Sequence, residues 1–224
     1  EIWVAFLTLT ALEIVLGIDN IIFISILVAR LPVEQQPRAR FFGLALAMGT
    51  RILLLLSISW VMQLTDDLFS VMQQGISGRD LILFFGGLFL LWKSSMEIFH
   101  SLEGVEEAQQ TGGKAAGFMS IILQIAIIDI VFSLDSVITA VGLVDQVEVM
   151  IAAIVISVGV MMLSAATISD FIDKHPSLKM LALAFLTMVG TLLVAEAFGA
   201  HVPKGYVYFA MAFSLGVEAL NIRA

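Results

Sequence analysis

The chain has 224 residues, 60% of them hydrophobic and 13% charged, with a formal charge of −8 and no cysteine. Soluble domains carry about 25% charged residues, so this composition and a mean hydropathy of +1.04 exclude an ordinary soluble fold and specify an integral protein of a lipid bilayer. The missing cysteines exclude a disulfide framework, a thiolate metal site and a cysteine nucleophile. The first apolar run is too long for the core of a secretory signal. A chain opening on Glu1 and not Met is expected to be trimmed or renumbered at its start.

Crossing about 30 Å of hydrocarbon takes about 20 mostly apolar residues. Seven stretches meet that length, at about 2–29, 41–64, 80–99, 118–143, 147–168, 178–198 and 205–222. The predicted fold is therefore all-α, a polytopic membrane protein with seven transmembrane helices in one domain over 1–224. The links carry breakers and polar residues: Pro32 to Pro37, Asp66 to Gly78, an acidic run over 103–114, and short links at 144–146, Asp173 to Lys179 and His201 to Gly205. With alternating links, one face collects Arg30, Arg38, Arg40, Lys93, Lys114, Lys174, Lys179 and Arg223, and the other only Arg79 and Lys204. Positive charge gathers on the cytoplasmic side, which predicts an outside N-terminus and a cytoplasmic C-terminus.

The first span contains Glu13-Ile-Val-Leu-Gly-Ile-Asp19-Asn20, and the fourth contains Asp129-Ile-Val-Phe-Ser-Leu-Asp135-Ser136, 116 positions later. Glu13 answers to Asp129, Gly17 to Ser133, Asp19 to Asp135 and Asn20 to Ser136. An internal repeat three spans apart enters the membrane from the opposite side. It predicts a 3+3 inverted repeat: repeat one over 1–100, a linker over 101–117, repeat two over 118–200 and an extra helix over 205–222. Such repeats are a transporter signature, with the site near the midplane at their interface. Gly17 and the length of the first run predict that spans one and four are discontinuous helices.

Ionisable residues inside a membrane are costly and mark function by default. Four acids at similar depth cannot all stay ionised without a counter-charge. The only basic residue in mid-span is Arg51, read either as a resting partner of the acids or as a salt bridge to a group such as Asp170. A divalent cation is the remaining neutraliser. Oxygen ligands from carboxylate, amide and hydroxyl favour Mn²⁺, Mg²⁺ or Ca²⁺ over Zn²⁺ and copper. Lone polar residues in membrane helices often only bond helix to helix, and that reading stays open for Asn20 and Ser136 taken singly. Gln124 either lines the path or packs. Glu196, Glu218 and Asn221 lie near span ends and read as reaching for the interface. The pairs Gly49-Thr50 and Gly86-Gly87 read as close helix packing.

With these residues the chain resembles the TerC family of integral membrane proteins, grouped with LysE-type exporters. The resemblance rests on the two octets, on Leu91-Trp92-Lys93-Ser94-Ser95 with Glu97, on His201-Val-Pro-Lys-Gly-Tyr206 and on Glu218-Ala-Leu-Asn221. It implies seven spans around an acidic site and a role in manganese export or metal handling. It also implies that Glu13, Asp19, Asp129 and Asp135 are the metal carboxylates, with Asn20 and Ser136 beside them. The expected activity is export of a divalent cation, Mn²⁺ first, by exchange with protons; no P-loop pattern supplies ATP drive. The alternative is a membrane accessory protein that binds metal or a translocation partner and helps metallate or assemble other proteins. No Ser/His dyad or histidine-rich motif inside the spans points to an enzyme, and nothing points to nucleic acid.

Overall fold

The computed structural model describes residues 2–63, 65–71, 74–103, 114–143 and 146–223; side chains at 16, 18, 19, 58, 59, 71, 74, 114–116, 135, 136, 139–143 and 204 lie outside the description. In chain order the elements are α1 (Ile2–Val28), α2 (Gln36–Leu56), α3 (Ile58–Gln63), β1 (Asp67–Val71), β2 (Gln74–Ser77), α4 (Gly78–Glu103), α5 (Lys114–Leu143), α6 (Val147–Lys174), α7 (Pro176–Ala197) and α8 (Lys204–Arg223). Among the described residues, seven helices are long and apolar enough to cross a membrane. They are α1, α2, α4, α5, α6, α7 and α8, so the fold is all-α and polytopic, as the hydropathy predicted. Most of the predicted linker, 104–113, lies outside the described residues.

Local chemistry sets the helix ends. Pro37 sits in the first turn of α2, where its missing N–H costs nothing. Before α4, Ser77 Oγ accepts from the Asp80 amide at 3.2 Å while Asp80 Oδ2 accepts from the Ser77 amide at 2.9 Å, a reciprocal capping box. Pro176 opens α7 with His175 alone separating it from α6, so the predicted link over Asp173 to Lys179 shrinks to one residue. At the far end of α7, Gly199 takes a positive φ of 80° and the Ala200 amide reaches back to the Ala195 carbonyl at 3.1 Å. That left-handed step is one that glycine makes without a Cβ penalty.

Two expectations about breaks are corrected. Both α1 and α5 run unbroken through their octets. Gly17 serves packing: a Cβ there would meet Met161 Sδ at 2.5 Å, so the missing methyl makes room for the α6 thioether. The helix that does break is α2, which starts at Gln36 and stops at Leu56, with Ser57 turning the chain into α3. Its 21 residues still span about 30 Å at 1.5 Å per residue. Beyond it, β1 and β2 form an antiparallel hairpin pairing Phe69 with Ile76 and Ser70 with Gly75, where the sequence predicted only a link.

The helices form two compact units. The first holds α1, α2, α3, α5 and most of α6. Within it α5 packs against α1 and α2, with Gly43 of α2 against the Ile125 side chain. Serines attach α6 to α1: Ser169 Oγ donates to Ser25 Oγ at 2.7 Å and Ser157 Oγ to the Thr10 carbonyl at 3.3 Å. Small hydroxyl side chains of this kind join helices where lipid supplies no hydrophobic drive. The second unit holds the hairpin, α4, α7 and α8. Its core is the α4–α7 crossing, where Gly87 and Gly190 bring the backbones together; a Cβ on Gly87 would lie 2.7 Å from the Gly190 carbonyl oxygen. Thr187 Oγ1 donates to Ser94 Oγ across that crossing at 2.9 Å. Packing thus confirms Gly87 as a close-contact glycine.

Candidate functional site

The first unit buries an ionic cluster that draws on both octets. Unbroken α1 places Glu13 and Asn20 seven residues apart, hence on one face, and α2 and α5 pack beside it. Arg51 of α2 stands between two acids from different halves of the chain. Its Nη1 donates to Glu13 Oε2 at 2.9 Å, and its Nη2 donates to Asp129 Oδ1 at 3.0 Å. Its Nε donates to Ser133 Oγ at 2.9 Å and makes a longer contact of 3.3 Å with Asp129 Oδ1.

Asp129 gathers three more donors. Asn20 Nδ2 reaches its Oδ1 at 3.1 Å, and Thr50 Oγ1 and Ser133 Oγ reach its Oδ2 at 3.1 and 3.2 Å. Glu13, Asn20, Arg51 and Asp129 are 4%, 4%, 3% and 2% exposed, and Ser133 is fully enclosed. At that burial the charges have lost their water, so pairing and directed hydrogen bonds are what make them tolerable. One acceptor is left over: Asn20 Oδ1 is buried with no hydrogen-bond partner among the described residues. A buried amide oxygen without a partner invites an explanation in terms of a ligand or water.

Beside Glu13, Leu9, Leu55, Val137, Met150, Ala153 and Ile154 line a small, partly open chamber of about one water volume. Leu9 lies early in α1, Leu55 and Val137 late in α2 and α5, and Met150 to Ile154 early in α6. Beyond Asn20, by contrast, α1 is packed tightly, with Ile21, Phe23, Ile24, Ile26, Leu27 and Val28 all buried.

Of the six residues singled out as metal ligands, the structure brings Glu13, Asn20 and Asp129 together. The side chains of Asp19, Asp135 and Ser136 lie outside the described residues. Among the described residues no group of three or more His, Cys, Asp or Glu gathers in one place. Arg51 pairs with the acids and not with Asp170. Thr50 was read as helix packing; its hydroxyl lies 2.9 Å from the Ala47 carbonyl of its own helix and 3.1 Å from Asp129 Oδ2, so its one proton can serve either, and nothing lies within 4 Å of a Cβ built on its neighbour Gly49. Adjacency to Arg51 is the one sequence signal that would have found it. Gln124 donates to Ser120 one turn back, at 3.1 Å. Glu196 lies 3.9 Å from Arg79.

The second unit has a buried pair of its own, Lys93 and Glu97, one helical turn apart on α4 at 3.9 Å and 7% and 6% exposed. Lys93 is thus a buried side chain and not a flanking charge.

Seven helices long and apolar enough to cross a membrane among the described residues, with an ionic cluster buried in the first unit, define a multi-pass membrane protein. The chain belongs to the integral membrane protein TerC family, whose pattern matches residues 1–224. It is 59% identical over 220 residues to the UPF0053 inner membrane protein YgdQ of Escherichia coli, covering 98% of this chain and 92% of that protein. To a UPF0053 protein of Haemophilus influenzae it is 58% identical over 223 residues, covering 100% and 94%. To the UPF0053 protein YegH of Escherichia coli it is 50% identical over 221 residues, covering 99% of this chain but 42% of that longer protein. No solved structure matches. The relatives' names and the seven spans agree on a multi-pass protein of the inner membrane.

Proposed function

We propose that the chain is a secondary transporter that exports a divalent metal cation, Mn²⁺ ahead of Mg²⁺ or Ca²⁺, by exchange with protons. The observation that carries this reading is the buried cluster where the octets meet, with two carboxylates from different repeats and an amide oxygen that has no partner among the described residues. Carboxylate and amide oxygens are hard ligands suited to such ions. Asp19, Asp135 and Ser136 complete the ligand set in this reading.

An inverted repeat fits the packing. The Gly17 slot of α1 is filled by Met161 of α6, and the matching Ser133 slot of α5 by Arg51 of α2. The third helix of each half, α4 and α7, pair through their glycines. With Lys93 set aside as buried, positive residues at the helix ends still divide seven against two, which favours an outside N-terminus and a cytoplasmic C-terminus. In that orientation the chamber beside Glu13 lies toward the outside and the sealed half of α1 toward the cytoplasm.

The test is flux of Mn²⁺ into or out of liposomes containing the purified protein, with and without a pH gradient. Transport accelerated by a proton gradient supports the reading. Metal binding without flux would move the protein to the accessory role.

A further inference from the structure

Arg51 occupies the place between Glu13 and Asp129 that a bound cation would take. We propose that it is the site's own tethered cation, displaced when cargo loads and returning when cargo leaves. This rests on the transporter reading and adds a coupling residue to it.

Three observations converge. First, the guanidinium bridges acids from different helices and different repeats, with separate nitrogens on Glu13 and on Asp129. Any ion held by both carboxylates must enter the space this fork fills. Second, the charges balance only by exchange. Glu13 and Asp129 carry two negative charges and Arg51 one positive charge. A divalent cation added beside the guanidinium leaves these buried groups with an excess positive charge. A divalent cation in its place leaves none, and buried excess charge is what the apolar surroundings disfavour. Third, Asn20 places its amide nitrogen on Asp129 and leaves its oxygen without a partner among the described residues. Loading would give that oxygen the cation it lacks.

Arginine suits this role because its guanidinium keeps its proton in proteins. The guanidinium therefore cancels one of the two buried negative charges, and an empty transporter need not expose both acids bare while it changes access. A lysine would carry a single point charge and could not bridge two carboxylates with a planar fork.

The experiment measures Mn²⁺ affinity by calorimetry on the purified full chain, and Mn²⁺ flux in liposomes, for the wild type, Arg51→Lys and Arg51→Gln. The proposal expects Arg51→Gln to bind Mn²⁺ about tenfold or more tighter, because the competing cation is gone. Its flux should fall, because nothing drives the bound ion off, and Arg51→Lys should lie between. Tighter binding with slower turnover is a split that a merely structural role does not give. Unchanged or weaker binding in Arg51→Gln, with wild-type binding intact, overturns the proposal and makes Arg51 a positioning residue. Should Arg51→Gln fail to fold, Arg51→Lys decides alone: affinity above wild type supports the proposal, and equal or lower affinity overturns it. A wild type that binds no Mn²⁺ removes the transporter reading and this inference with it.

Discussion

Asp129 accepts from Arg51, Asn20 and Ser133 and lies within reach of the Thr50 hydroxyl, which makes it the residue whose two simplest replacements should differ most. In Asp129→Asn, the retained oxygen can stay on the side of Arg51 and Asn20, donors that cannot reverse. The new NH₂ then faces Thr50 and Ser133, whose hydroxyls can turn and accept. The loss is the charge assistance on Arg51, the difference between a charged and a neutral hydrogen bond, or about 1–2 kcal/mol. Asp129→Ala removes the acceptor altogether. Breaking a buried ion pair from one side costs about 3–5 kcal/mol. Glu13 still holds Nη1 at 2.9 Å, so the low end, about 3 kcal/mol, applies. Thermal unfolding in detergent, followed through Trp3, Trp60 and Trp92, measures both. Both variants should lose Mn²⁺ binding, but only Asp129→Ala should unfold much earlier. Equal stability of the two would refute the claim that this carboxylate satisfies Arg51 and Asn20.

Three further outcomes are expected. Gly87→Ala should destabilise by about 1–3 kcal/mol, because its Cβ would lie 2.7 Å from the Gly190 carbonyl oxygen and 3.0 Å from the Val194 amide, backbone atoms that cannot swing aside. Gly159→Ala, inside α6 with nothing within 4 Å of its Cβ, is the control in the same unfolding assay and should lose no stability. Asp19→Asn and Asp135→Asn should each abolish Mn²⁺ flux without a steep loss of stability, and normal transport by either would free that carboxylate of an essential role. Metal and protons compete for the same oxygens, so Mn²⁺ affinity should rise from about pH 5.5 to about pH 8 with protons released on binding. A flat profile with no release would remove proton exchange as the drive.

The spans and the octets were legible because both rest on strong local signals. Twenty apolar residues in a row have few other uses, and a carboxylate inside such a run stands out against its neighbours. What the sequence hid were contacts between distant helices. Gly17 read as a break, since glycine tolerates unusual dihedrals, yet its role is to admit Met161 from α6. Thr50 sits beside Gly49 and read as packing; only the rotation of α2, with Arg51 turned toward α1 and α5, aims it at Asp129. Lys93 read as an interfacial charge because it falls near a predicted span end. In the structure α4 continues to Glu103, which leaves Lys93 inside, one turn from Glu97. The hairpin over Asp67 to Ser77 was masked by its acidic and glycine residues, which are depleted in strands.

The location of bound metal tests the site most directly. Crystals of the full chain soaked in Mn²⁺ and measured at the manganese absorption edge would show it as an anomalous peak. The expected peak lies in the first unit, within about 2.0–2.6 Å of Glu13 and Asp129 carboxylate oxygens and of Asn20 Oδ1, with the Arg51 guanidinium moved off both acids. A saturated crystal with no peak there, or with manganese bound only elsewhere while Arg51 still bridges Glu13 and Asp129, would contradict it.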